Sequence, residues 1–141
     1  MTQGPREWMV GSHIFRFEPP DVLWATYHGP LTLAHATRIV GIYQEMREAH
    51  PLITVSVMKD AGRLDPEAGR YFSEKVPSEW SLGTIYIGAR LLHRALARGI
   101  SLAAQVTGHG DTRSAERLHF VSTFEQAHEV ISQLRARRRK A

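Results

Sequence analysis

Apolar positions along this chain recur with two periods. His13-Ile14-Phe15-Arg16-Phe17-Glu18 alternates weakly and is aromatic and β-branched, which suits a strand. Pro19-Pro20-Asp21 makes a turn, because proline fixes φ and pushes its predecessor out of the helical region. In Val22 to His28, Leu23, Ala25 and Tyr27 share one face and Val22, Trp24 and Thr26 the other, so the two strands predict a hairpin. Gly29-Pro30 is expected to stop the second strand. Thr32 then caps a helix in which Leu33, Ala36, Val40, Tyr43 and Arg47 recur at three- and four-residue spacing. Ile39, Ile42 and Met46 widen that stripe into one broad buried face, and Pro51 ends the helix. Leu52 to Met58 contains no charge, as expected of a central strand covered on both faces.

Lys59 to Asp65 reads as a loop. Asp65-Pro66-Glu67 starts a second helix, with an acidic cap before a proline at the first helical position, and Pro77 closes it. Thr84 to Ile87 is a short strand closed by Gly88, and Ala89 to about Thr107 is the longest helical stretch. After a polar connection, Leu118 to Val121 is the last strand. Thr123 and Gln126 have capping-box spacing ahead of a helix whose face is Phe124, Ala127, Val130, Ile131 and Leu134. Strands alternating with helices after an opening hairpin predict an α/β fold: a mostly parallel sheet of about five strands with about four helices. Residues 1–11 read as a leader, 12–134 as one domain and 135–141 as a basic tail.

A length of 141 residues is one ordinary domain. With 43% hydrophobic and 23% charged residues the chain can bury a core, and the absence of cysteine removes disulfides and thiolate chemistry. The net charge of +4 is misleading. Five positive charges, Arg135, Arg137, Arg138, Arg139 and Lys140, sit in the last seven residues; the rest carries 13 basic against 14 acidic residues, a net of −1. A basic body that tracks a phosphate backbone is not implied. The longest apolar stretches are far shorter than the roughly 20 residues a membrane helix requires. No apolar signal core follows the N-terminus, so a cytoplasmic protein is expected.

Chemical motifs are scarce. The eight histidines, His13, His28, His35, His50, His93, His109, His119 and His128, form no His-x-His or His-x-x-x-His pair, so no metal site is expected. There is no Gly-x-Ser-x-Gly elbow and no Gly-x-x-x-x-Gly-Lys phosphate loop, and Gly108-His109-Gly110-Asp111 reads as a flexible connection. No catalytic residue and no cofactor is assigned, and an enzyme is not expected.

Three stretches carry a resemblance: Val55-Ser56-Val57-Met58-Lys59-Asp60-Ala61-Gly62, the run Ile85 to Leu96, and His119 to Ala127. Together with the element order they resemble the STAS domain. The likeness is greater to bacterial STAS-like proteins related to sporulation anti-sigma-factor antagonists and grouped with the lipid-transfer (CRAL-TRIO) fold. It covers about residues 12–134. It implies a non-catalytic regulatory or scaffolding module acting through protein contacts. Partner contact would use Asp60, Gly62, Arg63, Asp65, Pro66, Glu67 and Arg70. Signalling members carry a phosphorylatable Ser or Thr where the second helix starts; here Leu64-Asp65-Pro66-Glu67-Ala68-Gly69 has no hydroxyl, and the next is Ser73. Asp65 or Glu67 can imitate a phosphate only in part. A helix cap is the preferred reading of Asp65.

The stretch Ala89 to Thr107 is apolar nearly all round, so it needs cover on more than one side. Leu91, Leu92, Leu96 and Ile100 are therefore candidates for extra burial or a homo-oligomer interface, or for a wall holding a small apolar or acyl ligand. Trp24 and Trp80 are candidate core or interface anchors. The basic tail offers weak nucleic-acid or anionic-membrane binding as a further alternative, with no interleaved aromatics to stack bases.

Overall fold

A computed structural model describes residues 6–48, 51–89 and 118–140. Its frame is one six-stranded sheet in sequence order: β1 (Arg6–Val10), β2 (His13–Glu18), β3 (Val22–Leu31), β4 (Leu52–Leu64), β5 (Ser81–Ile87) and β6 (Leu118–Val121). The β1–β2 and β2–β3 pairings are antiparallel; those from β3 through β6 are parallel. The described α-helices are α1 (Leu33–Met46), α2 (Pro66–Lys75) and α3 (Phe124–Lys140). The α/β class and the β2–β3 hairpin agree with expectation. The helix expected over Ala89 to Thr107, with Leu91, Leu92, Leu96 and Ile100, lies outside the described residues apart from Ala89.

Period two sorts the core into two layers. Leu23, Ala25 and Tyr27 face α1 and α2 with Phe15 and Phe17, while Val22 and Trp24 face α3 with Ile85 and Ile87. β4 is covered on both sides, because Leu52 joins the first layer and Ile53 and Val55 the second. Helix α1 buries Ala36, Ile39, Val40, Ile42 and Met46, as its stripe predicts, although Leu33 at its start is exposed. On α3, Ala127, Ile131 and Leu134 are buried, but Phe124 is 53% exposed and stacks on Trp24 instead, 6.1 Å between ring centroids.

Three elements depart from the sequence reading. The sheet has six strands, not five, because Arg6–Val10 in the expected leader pairs with β2 across a turn where Gly11 adopts φ +61°. Trp8 and Val10 point inward along that strand, but five residues are too short to reveal a period. Gly29-Pro30 does not stop β3, and Lys59 to Asp65 is largely not a loop. The two strands continue side by side, with His28 opposite Asp60, Gly29 opposite Ala61 and Leu31 opposite Leu64. Register shifts between Thr26 and His28 and between Gly29 and Leu31 accommodate this. Pro30 is tolerated because the β2 ladder has ended at Ile14–Thr26.

The basic terminal run is not separate from the fold at its first residue. Helix α3 continues through it to Lys140. The Arg135 guanidinium reaches Asp21, which is fully buried, with Nη2–Oδ1 at 2.7 Å and Nε–Oδ1 at 3.2 Å.

Candidate functional site

The strand extensions put the residues expected to meet a partner on a braced platform. Lys59, Asp60 and Arg63 are exposed at the end of β4, and Pro66, Glu67 and Arg70 are exposed at the start of α2; Asp65 between them is half-buried. Gly62 packs closely against β3. A Cβ there would fall 2.6 Å from the Gly29 carbonyl carbon and 2.7 Å from the Pro30 nitrogen, so only glycine lets β4 approach β3. Asp65 occupies the N-cap of α2 but makes no side-chain cap bond; its backbone N–H donates to Leu31 O at 3.0 Å. The acidic cap expected from sequence is therefore only positional.

Beneath this platform the backbone is held by side chains that sequence spacing does not bring together. Where the β2 ladder ends, the Ser12 hydroxyl donates to His28 O at 2.7 Å, and the His28 N–H donates to His13 Nδ1 at 3.0 Å. His13 Nε2 lies 3.0 Å from Pro30 O. Since Nδ1 accepts, the neutral ring carries its proton on Nε2 and donates it to that carbonyl. His13 is 0% exposed, and burial, with His35 and His28 nearby, pushes its pKa below the usual histidine value. Thr32 and His35 form a reciprocal capping box on α1: the Thr32 N–H donates to His35 Nδ1, and the His35 N–H donates to Thr32 Oγ1. His13 and His35 are thus backbone-holding groups.

The sheet face under α1 carries a layer of hydroxyls. Tyr27 and Tyr43 interact with each other, Tyr27 also with Ser56 and Tyr43 with Thr54. Burial raises the pKa of Tyr27, Tyr43 and Tyr86 well above the ordinary tyrosine value, so all three are neutral phenols near pH 7. They are hydrogen-bonding groups, not bases. The alternation of Thr54 and Ser56 on one face was the available signal for this layer.

A second feature is an open cleft of about 370 Å³ at the carboxyl ends of β5 and β6, beside the middle of β4, lined by Val57, Lys59, Ile87, Gly88, Ser122 and Phe124. It lies between the sheet and the start of α3, where Gln126 N–H donates to Thr123 Oγ1 at 3.1 Å and Ser122 N–H to Gln126 Oε1 at 2.8 Å. The cleft opens at the carboxyl end of β5, although the strand order does not reverse there. Trp24, at 6% exposure, lies beneath Phe124 and His128, and its indole N–H has no hydrogen-bond partner among the described residues. Trp80 is half-buried, with the Arg47 guanidinium 4.8 Å above its ring.

Among the described residues there is no cluster of three potential metal ligands, and no helix is long and apolar enough to cross a membrane. No family model and no curated protein matches the chain.

Proposed function

We propose that this chain is a non-catalytic regulatory or scaffolding module of the STAS type, acting inside the cytoplasm through protein contacts at the β4 end and α2 start. The observation that carries the reading is the continuation of β4 to Leu64. It holds Asp60 and Arg63 exposed on hydrogen-bonded strand rather than on a loose loop. A surface ordered before contact loses little conformational freedom on binding. The missing hydroxyl at the α2 start makes the contact constitutive rather than phosphate-switched. Self-association through Leu91, Leu92, Leu96 and Ile100 belongs to the same proposal, and light scattering of concentrated protein tests it.

The decisive experiment is capture of cross-linked partners from cells of origin by native protein and by the pair Asp60→Arg and Arg63→Glu. Both side chains are exposed, so the variants should fold with stability unchanged within about 0.5 kcal/mol. Loss of the specific partners is expected. Recovery of the same partners by both folded variants would remove this surface from consideration.

The cleft favours a second reading, a carrier of a small apolar or acyl ligand. Val57, Ile87 and Phe124 supply apolar contact there. Native mass spectrometry of protein purified from cells would show the ligand as added mass; a clean apo mass would eliminate the carrier.

A further inference from the structure

The segment His28–Thr32 connects β3 to α1, and an imidazole lone pair holds each of its ends. His13 Nδ1 accepts the His28 N–H at 3.0 Å, and His35 Nδ1 accepts the Thr32 N–H at 3.2 Å. The two rings meet edge to face, 4.9 Å between centroids. Between those ends the segment supports its neighbours. Gly29 and Leu31 pair with Ala61 and Leu64, and Leu31 O accepts the Asp65 N–H. Backbone groups here have lost the β2 ladder, so the histidines replace a missing strand.

We propose that His13 and His35 form an acid-released clip on His28–Thr32, and that protonating them frees the end of β3 together with the β4 stretch Asp60–Leu64. An imidazolium has two N–H groups and no acceptor. Protonating His13 turns Nδ1 into a donor facing the His28 N–H; protonating His35 does the same to the Thr32 N–H. Two imidazolium rings 4.9 Å apart would also repel each other. Among the described residues, the groups around the pair offer His13 no buried anion. On β3 it faces Tyr27, edge-on at 5.4 Å, and His28; on α1 it faces His35. The Asp60 carboxylate on β4 lies beside the His28 ring instead, 3.6 Å from its Nδ1, and is exposed. Acid thus removes acceptors and supplies no compensating charge to the buried ring. This device does not depend on whether the platform above it binds a protein.

Amide hydrogen exchange on the full chain tests the clip. Rates are corrected for intrinsic chemistry and compared between about pH 7.5 and about pH 5.5, either side of the ordinary histidine pKa. Protection at the His28 amide should fall by up to about tenfold, the limit for one proton taken up only by the open form, and protection at the Thr32 amide should fall with it. Protection at Ile53, which donates to Asp21 O at the opposite end of the sheet, should stay constant. The double variant His13→Asn, His35→Gln keeps an amide oxygen as acceptor at each place and cannot protonate, so its pH dependence should vanish. Constant protection in the wild type, an equal fall at Ile53, or unaltered pH dependence in the double variant would each overturn the clip. If the double variant does not fold, long-range proton–nitrogen spectra of the wild-type imidazoles decide. Both rings must carry hydrogen on Nε2 and none on Nδ1 at the higher pH; a Nδ1–H tautomer at His13 refutes the proposal.

Discussion

Opposite ends of β3 are anchored by buried polar groups of different kinds. At the amino end, the fully buried Asp21 carboxylate takes two N–H bonds from Arg135, and its backbone carbonyl accepts the Ile53 N–H at 2.7 Å. At the carboxyl end, neutral His13 and His35 accept backbone N–H groups. Arginine keeps its proton throughout the accessible pH range, so the first anchor keeps its cation under ordinary conditions. An imidazole loses its acceptor when it is protonated, so under the proposed clip the second anchor is conditional. The sheet therefore has a permanent end, closed by α3, and an adjustable end that carries the exposed charges of the proposed contact surface.

Removing the permanent anchor should have the largest effect. Arg135→Ala leaves a buried carboxylate without its guanidinium, and denaturant unfolding should show a loss of about 3–5 kcal/mol. A loss below about 1 kcal/mol, the scale of an exposed pair, would mean that Asp21 is held by its other contacts and that the two ends are less different than their geometry indicates. The same substitution should leave hydrogen exchange at His28 and Thr32 responsive to acid.

The next effect is steric and belongs to the adjustable end. Gly62→Ala places a methyl group against the Gly29 and Pro30 backbone, which cannot rotate away as a side chain could. Overpacking of this sort costs about 1–3 kcal/mol. The expected signature is faster exchange at Asp65, whose N–H reaches Leu31 O, with Ile53 unaffected. An unchanged exchange pattern would show that β3 and β4 can part without loosening the segment.

The sequence revealed these two ends unequally. Period two assigned the faces of β3 correctly, because Leu23, Ala25 and Tyr27 and then Val22 and Trp24 pack on opposite sides. The Asp-Pro-Glu run located the start of α2 because proline fixes the first helical φ. Local pattern failed where strands outrun their cover. The end of β4 is polar because it projects as a surface strand, and polar strand and loop look alike in one dimension. The anchors were invisible for another reason. Asp21 and Arg135 are 114 residues apart, and Asp21 alone resembles an ordinary turn aspartate. His13 and His35 meet only after β2, β3 and α1 have folded together, so no ligand-like spacing announces them.

The smallest effect separates acid sensitivity at the adjustable end from acid sensitivity elsewhere. Among the described residues, two histidines have pKa values below the ordinary one: His13, chiefly through burial, and His119, through burial and then the nearby Arg137. In each case the unfolded chain binds a proton more readily than the native chain, so stability is fully present above about pH 6.5 and declines as pH falls below it. Each group should therefore lower stability as pH falls from about 7.5 to about 5.5. His119 lies on β6, with its Nε2 buried and without a hydrogen-bond partner among the described residues, away from the segment His28–Thr32. Denaturant midpoints across this range should therefore flatten by similar amounts in His13→Asn and His119→Asn. Only the first substitution should weaken the acid response of the His28 amide. If His119→Asn alone removes the whole pH dependence, the conditional anchor lies between β6 and α3, and the contrast between the two ends of β3 fails.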